Sequence, residues 1–347
     1  MIAPRLTVVS AYGAGAATTR ARGLEWAAHL GLEVDLVDYI GTSTNRPADL
    51  ARRPRAAWAA ERGLRHLDVG GPLLLLREAT PFSRGGVESL LLLAGAPGVY
   101  DVDDALYADV RHLPDPAALF PKRLKAERAA RSARRVVVGN EVLAGWAARL
   151  NREVVVVPTC VEPDDYVVRA QHDVPPVPVI GWIGSPATER YLLDVADALL
   201  AVHERTGAVL RVVSAGEADL GPVQRMVERV PWTPQTWRES LASFDVGIGP
   251  LPDDEFARGK CAYKLLQYAA AGVPVVGSPV GANANALDRL GGLHASTTAE
   301  WTDALVDVLS ASAADRATTA AAGVAGVREH YSFAAWAPAW RAAVLTS

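Results

Sequence analysis

Short apolar runs alternate with helix-favouring segments along nearly the whole chain, and this alternation constrains the fold more than any other feature. In the first half, the apolar runs occupy residues 6–9, 34–37, 73–76, 136–138 and 154–157. Alanine- and arginine-rich segments separate these runs. An alternation of this kind predicts a parallel, doubly wound sheet with helices on both faces.

A proline-dense stretch at residues 173–178 interrupts the alternation, which restarts at residue 179. Further strands are predicted at residues 210–213, 245–248 and 273–276, and helices at residues 189–205, 260–271 and 301–310. Half of the 347 residues are hydrophobic, and a chain of this length exceeds what one core usually supports. The sequence therefore predicts an α/β protein with domains at residues 1–170 and 179–330, joined by a linker at residues 171–178.

Composition excludes several classes of protein. A net charge of -4 argues against a general nucleic-acid binder. Cys160 and Cys261 are the two cysteines, too few for a disulfide framework or a structural zinc site, so a reducing cytoplasm is expected. The first residues lack the features of a secretory signal, and no apolar run approaches the roughly 20 residues that span a bilayer.

Cations cluster at the start of the helix predicted at residues 260–271. Arg258, Lys260 and Lys264 lie where the helix macrodipole already places positive charge, so they are disfavoured unless an anion rests there. We interpret the segment as a diphosphate site. The alternative is a solvated helix whose cations are balanced by three acidic residues at 253–255.

The residues from Lys264 to Val276, with the run at 278–281, resemble the donor-binding helix and following strand of the retaining GT-B glycosyltransferases of family four, the group 1 glycosyl transferases. Residues 138–140 with 155–159, and residues 181–185, are similar to further parts of that family in the same order. The resemblance spans nearly the whole chain. It implies a GT-B fold, in which two Rossmann-like domains face each other across a cleft and a closing helix at residues 331–347 packs back on the first domain.

The resemblance also implies an activity. The expected reaction moves a sugar from a nucleotide-diphosphate sugar, such as a UDP-sugar or GDP-sugar, to a small-molecule or glycan acceptor with retention of anomeric configuration. Neither a metal nor a cofactor is expected, nor is nucleic acid a partner. The alternatives are a nucleotide-sugar epimerase or other GT-B enzyme, or a catalytically silent GT-B subunit.

Two departures from the family pattern fall in the donor segment. Gly259 and Gln267 stand where relatives commonly carry glutamates. On a helix beginning at Lys260, that lysine would share one face with Lys264 and Gln267, at positions i, i+4 and i+7. We expect Gly259 and these three side chains to contact the donor, and Lys264 and Arg258 to stabilise the departing diphosphate.

Other donor contacts are expected from four residues. Gly184 and Ser185 follow the first strand of the second domain and could present backbone N–H groups, although Ser185 also suits a plain helix cap. Gly13 and Gly15 follow the first strand of the chain and allow a similar approach. Trp232 lies where relatives contact the nucleotide base, with burial in the core as the alternative.

Asp101, Asp103 and Asp104 place three carboxylates within four residues at the end of a strand. Such a cluster is self-repelling unless cations or hydroxyl-rich partners compensate it. The resemblance places Asp103 where many relatives have a histidine near the transferred sugar, so we expect a catalytic role for it and acceptor contacts from Asp101 and Asp104. The alternative is a strand end followed by a helix with surface acids.

The basic segment at residues 121–135 predicts a helix. It could meet a phosphorylated acceptor or make a peripheral contact with an anionic membrane. The alternative is an ordinary solvated helix face.

Overall fold

The computed structural model describes residues 5–42, 47–94, 98–108 and 119–346. Contacts divide the chain into two compact units. Unit 1 comprises Met1–Thr159, Arg258–Cys261 and Trp336–Ser347, and unit 2 comprises Cys160–Ala257 and Ala262–Ala335. Each unit contains one six-stranded sheet. The predicted α/β class with two doubly wound sheets is confirmed.

The sheet of unit 1 is parallel throughout and has the strand order β2-β1-β3-β4-β5-β6. Its strands are β1 (Arg5–Ser10), β2 (Glu33–Val37), β3 (Leu73–Leu76), β4 (Gly98–Val102), β5 (Arg135–Val138) and β6 (Val154–Val156). The four leucines of β3 are fully buried, as expected for a strand covered on both faces. The strand order reverses between β1 and β3, which creates a topological switch point there.

Helices cover this sheet. They are α1 (Ala17–Thr19), α2 (Glu25–Leu30), α3 (Pro47–Arg52), α4 (Pro54–Arg65), α5 (Gly86–Ala94), α6 (Lys122–Ser132) and α7 (Glu141–Ala147), with a π-helical turn at Arg20–Leu24. The basic segment predicted to be helical is α6. In unit 1, Trp26 of α2 stacks on Trp340, with ring centroids 5.2 Å apart.

Unit 2 repeats the design with the order β12-β11-β10-β7-β8-β9, again parallel. Its strands are β7 (Val179–Ile183), β8 (Val209–Ser214), β9 (Val227–Pro231), β10 (Val246–Gly249), β11 (Val275–Gly277) and β12 (Leu293–His294). The sequence did not predict β9 or β12, because β9 ends in a proline at the sheet edge and β12 has two residues. The switch point lies between β7 and β10.

The α-helices that follow are α8 (Ala196–Thr206), α9 (Trp237–Ala242), α10 (Glu255–Arg258), α11 (Tyr263–Ala270), α12 (Ala282–Leu290), α13 (Thr298–Ser310), α14 (Ala313–His330) and α15 (Phe333–Val344). The helix predicted at residues 189–205 is instead a 3-10 segment, Pro186–Val195, followed by α8. None of the described helices combines the length and apolar content needed to cross a membrane.

Candidate functional site

Lys264 lies close to the switch point of unit 2. It is the second residue of α11, and its Nζ atom is 5.3 Å from the centroid of the buried Trp182 ring on β7. Gly184, directly after β7, makes this arrangement possible. A Cβ atom there would lie 2.8 Å from Cε of Lys264 and 2.4 Å from the Trp182 ring. The lysine and the indole therefore meet at the carboxyl end of the central strand, where such sheets bind ligands.

The start of α11 differs from the prediction. Ala262 occupies the N-cap with φ 56°, a left-handed conformation, and supplies no capping side chain. The helix begins at Tyr263, so Lys260 precedes it and the prediction that Lys260 shares a helix face with Lys264 and Gln267 is wrong. Lys264 and Gln267 are three residues apart within α11 and share a face. The Gln267 side chain is buried.

Segment 258–261 belongs to unit 1 and is held there by Asn140. The Asn140 amide donates to the carbonyl oxygens of Gly259 and Lys260 at 3.0 and 3.1 Å, and its own oxygen caps α7. Cys261 donates its thiol to the carbonyl oxygen of Asp103 at 3.2 Å. Burial raises the pKa of Cys261 to about 12, so this thiol is neutral at physiological pH.

Gly259 is fixed by close packing. A Cβ atom at this position would lie 2.5 Å from Cβ and 2.8 Å from the backbone nitrogen of Ala105. A glutamate, which the resemblance leads one to expect at this position, has no room here without movement of the backbone. Arg258, the last residue of α10, is exposed.

The other four predicted donor residues differ in exposure and hydrogen bonding; they are Ser185, Trp232, Gly13 and Gly15. Ser185 is exposed at the N-cap of the 3-10 segment and makes no capping hydrogen bond with its side chain. Trp232 follows β9 and is half-buried against the core of unit 2, so the alternative of core burial holds in part. The N–H of Gly13 donates to Thr42 O at 2.7 Å, which removes it as a ligand donor, whereas Gly15 is exposed.

The second cluster lies at the switch point of unit 1. Arg77, directly after β3, pairs with Asp104 and places its Nε atom 3.2 Å from Asp103 Oδ1. Thr18 donates to the Asp103 carboxylate at 2.5 Å. Lys260 Nζ lies 3.3 Å from Asp104 Oδ1. The acids after β4 are thus compensated by side chains of their own unit.

Asp101 is different because it lies inside the core. Arg22 donates to both of its carboxylate oxygens, at 2.9 and 2.8 Å, and also to Val157 O at 2.9 Å. Burial raises the pKa of Asp101, opposed by the charge of Arg22. Burial alone would lower the pKa of Arg22, but the charge and hydrogen bonds of Asp101 outweigh it and raise that pKa. A buried, doubly hydrogen-bonded carboxylate does not fit the acceptor contact predicted for Asp101.

Sequence reasoning missed Arg77 and Thr18, and it included Asn140 and Trp182 in motif segments without assigning a role to either. Arg77 had a detectable signal, since it is a charged residue directly after an all-leucine strand. Its φ of 60° is left-handed. Non-glycine residues rarely adopt this conformation unless the surrounding structure holds them in it, and such residues are often found at functional sites. Among the described residues, only Tyr39 and Ala262 share this property without being glycine.

Comparison with known proteins finds a family match over part of the chain and fold matches over nearly all of it. Residues 177–311 match the model of the family described as "Glycosyl transferases group 1". No curated protein matches the chain significantly. The matched segment contains the whole cluster formed by Lys264, Trp182 and Gly184.

Solved structures resemble the chain in fold. WaaG, a glycosyltransferase involved in lipopolysaccharide biosynthesis, has a TM-score of 0.68 and 13% identity over 98% of this chain and 99% of its own. Sucrose-phosphate synthase from Thermosynechococcus elongatus has a TM-score of 0.67 and 15% identity over 97% of each chain. Anabaena HepE, solved with UDP and glucose, has a TM-score of 0.62 and 13% identity over 97% of this chain and 98% of its own. The chain also matches the structure of TarM, of whose length it covers only 53%.

Proposed function

We propose, from the premise that this chain has the GT-B fold and that its residues 177–311 match the group 1 glycosyl transferases, that it transfers a sugar from a nucleotide-diphosphate sugar to a hydroxyl-bearing acceptor. The observation that carries the proposal is the position of Lys264. A cation in the first turn of a helix, beside a glycine at the carboxyl end of the central strand, suits a diphosphate.

The charge balance at this helix start supports the donor role. Lys264 adds positive charge to a helix end that is already positive, and Ala262 offers no capping side chain. A bound diphosphate would offset both. When the bond to the sugar breaks, charge builds on the leaving phosphate oxygen, and a fixed lysine stabilises that charge in the transition state.

Retention of configuration and independence of a metal belong to the same proposal. In a front-face reaction, the acceptor oxygen attacks from the side that the diphosphate leaves, through an oxocarbenium-like sugar. Lys264 and Arg258 supply the charge that a metal supplies in other transferases. We assign Asp103 to the transferred sugar, Asp104 to the acceptor, and Gly15, Gly184, Ser185, Gln267 and Trp232 to donor contacts.

A nucleotide-binding measurement tests the donor site. Isothermal titration of the full chain with UDP, GDP, ADP and TDP should give a saturable heat for at least one of them. UDP is the first choice because HepE, a similar structure, was solved with it. Lys264→Ala should raise the dissociation constant at least about tenfold, the loss of one charge-assisted contact. Arg205→Ala on α8 is the matched control, since that exposed cation lies on another helix. An unchanged constant in Lys264→Ala would remove the assignment.

Turnover tests the remaining parts. Purified protein with labelled nucleotide sugar should form glycoside only when an acceptor is supplied, in the same anomeric configuration as the donor by NMR, and at the same rate in EDTA. Product without acceptor would indicate an epimerase. Glycoside formation that stops in EDTA and returns when a divalent cation is added would reject metal independence.

One observation favours a catalytically silent subunit as the second candidate. Ala105 occupies the space into which a glutamate at position 259 would extend, so the chain cannot regain that family residue by a simple side-chain movement. A silent subunit would bind nucleotide without any turnover. Nucleotide binding combined with inactivity toward every donor tried would favour it.

A further inference from the structure

Positive charge is concentrated in two segments of unit 1. Residues 50–66 contain five arginines and one glutamate, and residues 119–135 contain seven lysines and arginines and one glutamate, in a chain whose net charge is -4. These segments supply α4 and α6, which both pack against α5. Lys125 is buried and bound to Glu78, and Arg135 belongs to β5, so neither is part of the surface of this layer. The layer still carries a local excess of exposed cations, namely Arg62, Arg65, Arg123, Arg128 and Arg131.

Large apolar side chains are exposed on the same layer. Trp58 of α4 is 65% exposed, Leu90 and Leu93 of α5 are 50% and 73% exposed, and Phe82, just before α5, is 42% exposed. Arg62 lies over the Trp58 ring at 5.7 Å. Tryptophan, leucine and phenylalanine beside arginine are the side chains with which proteins enter the interfacial region of a bilayer.

A groove of about 430 Å³ on this layer is lined by both cationic and apolar side chains. Three arginines (Arg65, Arg84 and Arg128) and three apolar residues (Phe82, Val87 and Leu90) line it, and among the described residues no acidic side chain does. Gly85, with φ 97°, allows the stem of Arg128 to lie across the groove edge, because a Cβ atom there would be 2.7 Å from Arg128 Cβ. The three arginine side chains are exposed.

We infer that this layer, formed by α4, α5 and α6 and called the basic apolar face below, docks on an anionic phospholipid bilayer. Phosphate head groups meet the arginines and acyl chains meet Trp58, Leu90 and Leu93. A second copy of the chain is a poorer occupant, since a two-fold interface would bring two arginine-rich faces together. Nucleic acid is also poorer, because its interfaces are polar and this face exposes leucines.

Vesicle flotation of the full chain tests the inference. The protein should float with phosphatidylcholine vesicles that contain phosphatidylglycerol, should not float with phosphatidylcholine alone, and should dissociate as salt rises. Each basic residue at an anionic surface strengthens binding about fivefold, so Arg84→Glu with Arg128→Glu should weaken partitioning at least about twenty-fold. Leu90→Ser with Leu93→Ser should weaken it as well.

Matched controls come from unit 2. Arg205→Glu changes an exposed arginine of α8, and Leu193→Ser changes a leucine that is 43% exposed, and both should bind vesicles like the wild type. Thermal unfolding checks that every variant is folded, and Arg65→Glu replaces the Arg128 change if that variant is unstable. Failure of the wild type to float, equal flotation with neutral vesicles, or equal loss in the controls would overturn the inference. Two further results would also overturn the inference. One is light scattering that shows a dimer in the wild type and a monomer in Leu90→Ser with Leu93→Ser. The other is displacement of the protein from vesicles by duplex RNA that carries the same total charge as the lipid.

Discussion

Replacing Arg22 with methionine should destabilise unit 1 far more than an ordinary surface substitution does, because it leaves the buried Asp101 carboxylate without its cationic partner. The side chains of Arg22 and Asp101 are each 1% exposed. Removing one partner of such a pair costs about 3–5 kcal/mol, since the remaining carboxylate stays in a place without water. The lost hydrogen bond to Val157 O adds about 1 kcal/mol. We expect the free energy of unfolding to fall by about 4–6 kcal/mol.

The pH dependence of the loss identifies its cause. Burial already raises the pKa of Asp101 above its ordinary 3.8, and without Arg22 nothing of comparable strength opposes that rise. An acid whose folded pKa lies above its unfolded pKa binds more protons in the folded state, so stability falls as pH rises between the two values. Urea unfolding of Arg22→Met should therefore show a smaller loss at about pH 5 than at about pH 8.

Two further variants complete the test. The double change Arg22→Met with Asp101→Leu removes both charges and should recover at least half of the loss, because an apolar pair of similar volume is tolerated. Arg5→Met opens the exposed pair with Asp35, whose side chains are 67% and 42% exposed, and should leave stability unchanged. A loss that is equal at both pH values and is not recovered in the double variant would refute this account.

Three further predictions concern the two clusters and the acid stability of unit 1. Asp103→Asn should keep the melting temperature close to that of the wild type while cutting transfer at least about tenfold, and near-normal turnover would reject its role. Gly259→Ala should cost about 1–3 kcal/mol from overpacking, whereas Gly63→Ala, with open space around its Cβ, should not destabilise the protein in a urea titration. Burial alone would raise the pKa of Glu78, but two lysines outweigh burial and lower that pKa. The stability that Glu78 contributes is therefore present above its ordinary pKa of 4.5 and is lost as pH falls. Glu78→Gln should flatten the acid side of a Tm–pH profile, and a profile parallel to that of the wild type would contradict this.

The sequence predicted the elements with strong periodicity and missed those decided by tertiary contacts. The run at residues 73–76 is β3 to the residue, because four leucines between turn-forming segments suit a strand buried on both faces. The edge strand β9 escaped prediction because VERVP has little apolar character and ends in proline. The pairing of Arg22 with Asp101 joins residues 79 apart, and no local pattern reports it.

The start of α11 shows why the site was harder to predict than the fold. Lys260, Ala262 and Lys264 are good helix formers, so periodicity extended the helix back to Lys260. The hydrogen bonds from Asn140 hold residues 259 and 260 in another conformation, and Ala262 turns the chain with a left-handed φ. Tertiary contacts outweighed a preference worth some tenths of a kcal/mol per residue.

This difference changes the charge balance of the proposed diphosphate site. The sequence placed two lysines in the first turns of one helix, which would call for an anion of about two charges. The structure leaves Lys264 there and pairs Lys260 with Asp104 at 3.3 Å. A single lysine at the helix start makes the nucleotide depend on that residue more steeply, because no second lysine of α11 compensates for its loss. Lys260→Ala should therefore raise the nucleotide dissociation constant less than Lys264→Ala does, and the opposite ranking in paired titrations would reject Lys264 as the main diphosphate contact.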